Sequence, residues 1–225
     1  MLAPPVRPVR SLRRVARLVA ERIVPRAILI GRGAADRRRV ALTFDDGPGA
    51  LTGDYLDALD AAGARATFFV VGETCAKHRA ALLSIVARGH EVASHGYTHR
   101  PFPSLAAAEL REELQRTARL LPPPPRRRSL VRPPGGEISA RSVARCARAG
   151  YTTVLWSIDS DDCRTSSPAQ LVANLSPARF SAGDIVLLHE GQRWTLEALP
   201  VALASLREAG FELVTVSELI FSRPR

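Results

Sequence analysis

The chain has 225 residues, of which 46% are hydrophobic and 24% are charged, so it can bury a full core as one domain. This composition excludes a protein that is disordered over most of its length. The formal net charge of +10 would suit a protein that binds nucleic acid or a membrane if it were spread over the folded part.

Most of this charge lies at the N-terminus instead. Residues 1–39 contain 11 Arg and only two acidic residues, Glu21 and Asp36, and therefore carry a net +9. The rest of the chain is nearly neutral. We therefore predict a basic N-terminal arm over 1–38 and one folded domain over 39–225, and we do not expect nucleic acid to be a partner.

The arm contains one helical pattern. Apolar residues recur at helical spacing between arginines at Leu12, Val15, Leu18, Val19 and Ile23. The pattern predicts a basic amphipathic helix over 11–24 that can rest on an anionic membrane surface. A cover for the bottom of the domain and a solvated tail are the alternatives.

Neither a secretory signal nor a membrane-spanning segment is predicted. A signal needs an unbroken apolar stretch of about 7–15 residues, but charges interrupt every candidate, at Arg17, Glu21, Arg22 and Arg26. The apolar run of about 18 residues that a transmembrane helix needs is also missing. Cys75, Cys146 and Cys163 lack the even count and spacing of a disulfide framework. We therefore expect reduced thiols and a cytoplasmic protein that can associate peripherally with a membrane.

From Val40 onward, β-rich segments alternate with helical patterns. The predicted strands begin at Val40 and then cover 66–71, 91–94, 129–132, 152–156, 184–188 and 211–216. The predicted helices lie between 51 and 63, over 74–88, from 101 to 121, and over 138–149, 168–175 and 195–209. About seven strands that alternate with helices in this way predict a parallel sheet of the α/β class.

A barrel and a doubly wound sheet both cover apolar strands on two faces. The positions of the polar residues distinguish between them. These residues follow the C-terminal ends of different strands, at Asp45, Asp46, His95, His99, Arg132, Asp159, Asp162 and His189. In a (β/α) barrel this rim carries the catalytic residues, whereas a doubly wound sheet gathers its site at one switch point. We therefore predict a (β/α) barrel.

The spacing of His95 and His99 places two imidazoles on one side of a tight loop or first helical turn. Together with Asp46 they make a three-ligand site for a divalent cation, with open positions for water and substrate. Two histidines and one carboxylate also describe the iron site of some oxygenases. The residues alone leave both chemistries open.

Five short motifs occur in order along the chain. They are TFDDGP at 43–48, the H-x-x-x-H of His95 and His99, RPPGG at 132–136, the D-x-x-D of Asp159 and Asp162, and LLH at 187–189. Together they resemble the motifs of the polysaccharide deacetylases, the carbohydrate esterases with NodB homology. The resemblance extends from Val40 to about Leu219, and it implies a distorted (β/α) barrel with about seven parallel strands and a catalytic domain over 39–225.

The resemblance also implies an activity. The chain would be a hydrolase that removes N-acetyl groups from amino sugars in a polysaccharide, an oligosaccharide or a lipid-linked glycan. Asp46, His95 and His99 would be the metal ligands, and Asp45 would be the general base. One divalent cation is implied, with zinc as the first choice and cobalt, nickel or iron as alternatives.

Further roles follow from the same resemblance. His189 would protonate the departing amine, and Asp162 would hold His189 in its protonated form. Arg132 would orient the general base through an ion pair. Asp159 would position the loop after its strand without contacting the reacting atoms. Substrate and oxyanion contacts are implied at Pro134, Gly135, Gly136, Leu187 and Trp194. A backbone N–H of the 132–136 loop would be the oxyanion donor, and Trp194 would stack on a sugar ring.

Three residues depart from the family pattern. Gly96 replaces a Ser or Thr whose hydroxyl would brace the loop between the two histidines. Gly135 replaces an aromatic residue of the substrate groove, and Cys163 replaces a Trp. We therefore expect a roomier groove, which leaves the substrate open.

Other polar and aromatic residues have plainer interpretations. His78 and His90 are expected to be surface or structural residues. Trp156 is expected to pack in the core as part of its strand, and Asp161 and Glu190 lie near the predicted rim.

A binding module is the alternative to an enzyme. In that case the basic arm would target the protein to a membrane or to nucleic acid, and a barrel with a degenerate active site would serve as a scaffold. Release of acetate without consumption of oxygen would separate the hydrolase from the oxygenase.

We predict that residues 11–24 drive binding to vesicles of anionic phospholipid and that salt weakens this binding, because arginines are attracted to lipid phosphates. Cosedimentation with vesicles at low and high salt measures the effect, with the full chain compared with a chain that begins near Arg37. Equal binding of the two chains would remove the role assigned to the arm.

Overall fold

The structure is a computed structural model that describes residues 24–123 and 128–221, with the side chain of residue 221 excluded. Apart from residue 24, the helix predicted over 11–24 therefore lies outside the described residues. The part of the chain that is described forms a parallel sheet with helices packed around it.

The described residues contain nine strands and eight α-helices. The strands are β1 Leu29–Ile30, β2 Arg39–Asp45, β3 Thr67–Val70, β4 Glu91–Ser94, β5 Ser129–Val131, β6 Tyr151–Val154, β7 Ile158–Asp159, β8 Ile185–His189 and β9 Glu212–Val214. The helices are α1 Thr52–Ala61, α2 Gly72–Lys77, α3 Arg79–Ala87, α4 Ala107–Ala118, α5 Ala140–Arg148, α6 Pro168–Asn174, α7 Arg193–Glu208 and α8 Val216–Phe221. The spatial order of the strands is β1-β6-β5-β4-β3-β2-β8-β7, and β9 pairs with β2.

The chain itself closes this sheet into a distorted barrel. Strand β6 lies beside the edge strand β1 and runs on into β7, which pairs with β8 at the other edge. The loop after β1 is also bonded to the loop before β8, because the N–H of Gly33 donates to the carbonyl of Gly183 at 2.7 Å. Every pairing is parallel, so the predicted α/β barrel is confirmed.

Alternation of side chains along the strands divides the core into two parts. In β2, Val40, Leu42 and Phe44 pack toward the helices, whereas Ala41 belongs to the cluster inside the barrel. Asp45 lies four residues after Ala41 and shares its inner face. The interior cluster takes one residue from each of eight strands, at Ile30, Ala41, Phe69, Ala93, Leu130, Val154, Ile185 and Val214. Because side chains fill the barrel, polar groups of the inner face can gather only at its ends.

Two predicted helices are wrong in their extent. The helix expected over 74–88 is divided into α2 and α3, because the backbone leaves helical geometry at His78, where φ is −120° and ψ is 48°. The helix expected from 101 begins only at Ala107, after a 3-10 turn at Phe102–Ser104. The carboxylate of Glu109 accepts the N–H of Ala106 at 2.6 Å and so caps the helix at this point.

Two predicted strands are also too long. The strand expected over 152–156 ends at Val154, because the chain then crosses the barrel and the N–H of Ser157 donates to Ile185 of β8 at 2.9 Å. The strand expected over 211–216 ends at Val214 and is followed by α8. Strands β1 and β7 have two residues each, which is too short for a periodic pattern to show.

None of the helices described is both long and apolar enough to cross a membrane. Strand β1 lies within the segment that the sequence groups with the arm, and its residues pair with Thr153 and Val154 of β6. A shortened chain for the vesicle experiment should therefore begin at Val24 rather than near Arg37, so that the sheet stays complete.

Candidate active site

A cavity of about 220 Å³ opens at the rim where the strands end. It is lined by Asp45, Asp46, His95, His99, Gly135, Gly136, Trp156, Asp159, Asp161, Asp162, Cys163, Arg164, Leu187 and His189. Most of the residues singled out in the sequence therefore meet at one place. Arg132, Pro134 and Trp194 are not among the lining residues.

Asp46, His95 and His99 form a compact cluster on this cavity. One potential ligand atom from each lies within 4.8 Å of the others. The Oδ1 atom of Asp46 is 3.0 Å from Nε2 of His99 and 3.5 Å from Nε2 of His95. Although the Asp46 side chain is partly exposed, this Oδ1 atom is buried, and its contacts with the two imidazoles do not have good hydrogen-bond geometry.

The orientation and charge of His95 suit a cation ligand. Its Nδ1 atom lies 2.7 Å from the backbone carbonyl of Arg132, which turns Nε2 toward the cluster. Burial lowers the pKa of His95, although Asp45 and Asp46 oppose this effect. Burial alone would raise the pKa of Asp46, but the imidazoles of His99, His95 and His189 outweigh it and lower that pKa. A neutral imidazole beside an ionised carboxylate is the form that binds a divalent metal.

The backbone of the cavity is locally strained. Among the described residues, three that are not glycine have positive φ: Asp46 at 77°, His99 at 58° and Asp161 at 60°. All three line the cavity. Such conformations cost about 1–3 kcal/mol each and persist only where the surrounding structure holds them.

Glu113 of α4 holds the loop that carries the two histidines. Its buried carboxylate accepts the N–H of Tyr97 at 2.6 Å, the N–H of Thr98 at 2.9 Å and the hydroxyl of Thr98 at 2.6 Å. Gly96 has a φ of +83°, and a Cβ there would lie 3.2 Å from Phe102 and 3.3 Å from Glu113. In the family pattern, a hydroxyl at position 96 would brace this loop. Here Glu113 braces it instead, a role that was not predicted from the sequence.

Asp45 and Arg132 form a buried ion pair beside the cluster. Nη1 of Arg132 donates to Oδ1 of Asp45 at 2.7 Å and to the hydroxyl of Thr43 at 2.7 Å. The Asp45 residue is 3% exposed and Arg132 is 0% exposed. The other carboxylate oxygen of Asp45 lies 3.7 Å from Nε2 of His95. One oxygen is thus held by the guanidinium while the other faces the cluster.

His189 and Asp162 form a second charged pair at the end of β8. Nδ1 of His189 lies 2.7 Å from Oδ1 of Asp162, and the backbone N–H of His189 donates to Oδ2 at 2.6 Å. Burial alone would lower the pKa of His189, but Asp162, with smaller contributions from Cys163 and Asp45, raises it to about 11. His189 is therefore protonated at neutral pH.

The 132–136 loop brings two glycines to the cavity wall. Gly135 and Gly136 have φ values of 62° and 64°. A Cβ on Gly136 would lie 2.4 Å from the indole of Trp156, so only glycine fits against this ring. Trp156 packs against the interior cluster, as predicted, and because β6 ends at Val154, its indole also lines the cavity.

Other rim residues hold the loops in place. The indole N–H of Trp194 donates to the carbonyl of Asp162 at 2.8 Å. Asp159 accepts the N–H of Asp161 at 3.0 Å and lies 3.4 Å from the guanidinium of Arg164. Glu190 is buried and accepts hydrogen bonds from Thr52 and from the N–H of Gly49.

Titratable groups gathered at the C-terminal rim, around one polar cavity, place this molecule in the class of α/β-barrel enzymes. The sequence profile of the family described as polysaccharide deacetylase matches residues 32–154. A peptidoglycan-N-acetylglucosamine deacetylase of Bacillus cereus is 33% identical over 80% of this chain and 87% of its own length. A chitooligosaccharide deacetylase of a Bradyrhizobium species is 33% identical over 81% of this chain and 90% of its own length.

A solved structure of a deacetylase has the same fold as this chain. The crystal structure of a peptidoglycan N-acetylglucosamine deacetylase superposes with a TM-score of 0.80 and 27% identity, over 88% of this chain and 96% of the other. The chain belongs to the polysaccharide deacetylase family and is an enzyme of the hydrolase class.

We predict that Asp162→Asn lowers the pKa of His189 by about 1–3 units, because removal of an adjacent negative charge disfavours the imidazolium. His189 would then lose its proton at a lower pH than in the unchanged protein. NMR titration of the imidazole measures this shift, and Asp161→Asn is the control because Asp161 pairs with Arg164 instead. An unchanged titration in the Asp162 variant would show that Asp162 does not set this pKa.

Proposed function

We propose that the chain is a metal-dependent deacetylase that hydrolyses N-acetyl groups of amino sugars in a glycan of the peptidoglycan or chitin type. The observation that carries this proposal is the meeting of three separate units on one cavity. They are the Asp46, His95 and His99 cluster, the Asp45–Arg132 ion pair and the Asp162–His189 pair.

The cluster fits a divalent cation. The buried Oδ1 atom of Asp46 makes no hydrogen bond of good geometry but lies 3.0 Å from Nε2 of His99 and 3.5 Å from Nε2 of His95, so one cation between the three atoms would satisfy all of them. Two imidazole nitrogens and one carboxylate oxygen are a common ligand set for catalytic zinc, and they also suit cobalt, nickel or iron. We assign Asp46, His95 and His99 as the ligands. When bound, the cation supplies Lewis acidity and makes water more acidic.

Asp45 is the proposed general base. Arg132 occupies one of its oxygens, so the second oxygen, which faces the cluster, is the one that accepts a proton from the attacking water. A carboxylate that ligates the cation has its lone pairs engaged, which explains why two adjacent aspartates can divide the two tasks. Arg132 fixes the direction of the Asp45 carboxylate.

The tetrahedral oxyanion needs a donor from the protein, and the 132–136 loop offers one. Pro134 has no N–H, and the N–H of Gly136 donates to the carbonyl of Pro133 at 2.9 Å. The N–H of Gly135 is therefore the proposed donor. Removal of one such donor typically raises a reaction barrier by about 3 kcal/mol.

His189 is the proposed general acid. Asp162 supports its protonated form, so the imidazolium can transfer a proton to the departing amine of the sugar. Leu187 and Trp156 form apolar parts of the cavity wall, which suit the methyl group of an acetamide and the face of a sugar ring. The side chain of Trp194 bonds to Asp162, so we assign it to positioning of the acid rather than to sugar stacking.

The binding-module alternative is less well supported. A degenerate site would be expected to lack one of the paired groups, whereas Arg132 and each of the three histidines here have a carboxylate within 4 Å. Buried charged pairs add little to stability compared with apolar packing. Their presence at a cavity therefore favours catalysis over a scaffold role.

Asp45→Asn and Asp46→Asn form a matched pair that tests this proposal. We expect Asp45→Asn to bind one equivalent of metal but to release acetate from N-acetylglucosamine oligomers at least about 100-fold more slowly, as for loss of a general base. We expect Asp46→Asn to lose the metal as well as the activity. Acetate assay and elemental analysis measure both effects, with circular dichroism as the check on folding. Full activity in Asp45→Asn, or unchanged metal content in Asp46→Asn, would contradict the assignment.

We also predict that Glu113→Ala weakens metal binding about 10–100-fold, because the loop that orients both histidines loses its acceptor. Competition with a chromogenic chelator measures the affinity. The control is Glu112→Ala, whose side chain is 69% exposed. If the two variants bind metal equally, Glu113 does not position the ligands.

A further inference from the structure

A second group of ligand-type side chains lies on the same cavity. Asp162, Cys163 and His189 each offer an atom within 4.8 Å of the others. We propose that these three residues form a second cation site, selective for thiophilic divalent ions such as cadmium or excess zinc, and that its occupation stops the deacetylation reaction. The inhibitory part of this inference rests on the proposed function, whereas the binding part does not.

Two of the three ligands are already fixed in position. Asp162 accepts the backbone N–H of His189 at 2.6 Å and the hydroxyl of Thr195 at 3.3 Å, and its own carbonyl is held by Trp194. Its Oδ1 atom lies 2.7 Å from Nδ1 of His189. The entropic cost of ordering these two side chains when a cation binds is therefore small, which favours a high affinity.

Cys163 supplies the third ligand and the selectivity. Its side chain is exposed and lines the cavity, so a cation can reach it from solvent. The amide of Gln192 donates to its sulfur at 3.5 Å. The first cluster offers only nitrogen and oxygen, and soft thiolate ligands select soft cations. The two sites should therefore differ in preference.

The distances are compatible with tetrahedral coordination. Bonds of about 2.0–2.3 Å to zinc place ligand atoms roughly 3.6 Å apart, whereas the ligand atoms now lie up to 4.8 Å apart, so the longest separation must shorten by about 1.2 Å. Rotation of the exposed Cys163 side chain can supply this movement. The 2.7 Å contact between Nδ1 of His189 and Oδ1 of Asp162 must instead lengthen by about 0.9 Å as a cation replaces the proton between them.

Binding would remove the proton that catalysis needs. The thiol proton and one imidazole proton pass to solvent, and the thiolate and the Asp162 carboxylate neutralise the two positive charges of the cation. His189 then has one proton fewer to give to a departing amine. Occupation of the second site would thus inactivate an enzyme whose first site remains fully loaded.

Cadmium titration of the zinc-loaded protein tests the binding directly. A cadmium–thiolate bond gives an ultraviolet charge-transfer band, which nitrogen and oxygen ligands do not give. We expect about one equivalent of this band in the unchanged protein and its loss in Cys163→Ser. Cys75 and Cys146 are buried and present in both proteins, so they provide the background. Equal bands in the two proteins, or no band in either, would overturn the second site.

Acetate release under the same titration tests the regulation. We expect cadmium to inhibit the unchanged protein and to require a concentration at least about tenfold higher to inhibit Cys163→Ser. Inhibition at the same concentration in both would overturn the regulatory role. If neither protein releases acetate, the proposed function fails, while the charge-transfer band still decides whether the second site exists.

Discussion

The buried ion pair between Arg132 and Asp45 is the contact on which the rest of the site depends. Arg132 is fully buried, and its guanidinium donates to Asp45 and Thr43 of β2 and to the carbonyls of Val154 and Leu155 at the end of β6. Its own carbonyl orients His95, and the glycine loop follows it directly. Only arginine offers enough donors for so many acceptors. Removal of either partner would leave an uncompensated buried charge, at a cost of about 3–5 kcal/mol.

Around this pair, neighbouring charges shift the pKa of a proposed metal ligand and the pKa of the proposed acid in opposite directions. The imidazoles lower the pKa of Asp46 although burial opposes them, whereas Asp162 raises the pKa of His189. An ionised carboxylate suits the ligand role proposed for Asp46, and a protonated imidazole suits the acid role proposed for His189. Cys163 lies beside Asp162 and His189. A cation at the proposed second site would therefore act on the proposed proton donor, His189, and leave Asp45 and the first cluster unchanged.

The sequence predicted the barrel and the residues at its rim because polar side chains repeatedly follow apolar strands, a pattern that is local along the chain. The role of Glu113 was not predicted from the sequence, because its carboxylate binds a loop about 15 residues away along the chain. The available indication was an acidic residue on the buried face of α4, between Leu110 and Leu114. Trp156 packs against the interior cluster, as predicted, but its contact with the cavity was missed because the end of β6 depends on pairing with β8. Strands β1 and β7 depend on such distant pairing as well. Contacts of this kind are set by closure of the barrel rather than by periodicity.

The position of the bound cation is the most direct test of the account. Crystals grown with one equivalent of zinc or cobalt, measured by anomalous X-ray scattering at the metal edge, would locate it. We predict one strong peak about 2.0–2.2 Å from Oδ1 of Asp46 and from Nε2 of both His95 and His99, with Asp45 outside the coordination shell. A peak bound by Asp45, a peak only beside Cys163, or no peak at this cluster would contradict it.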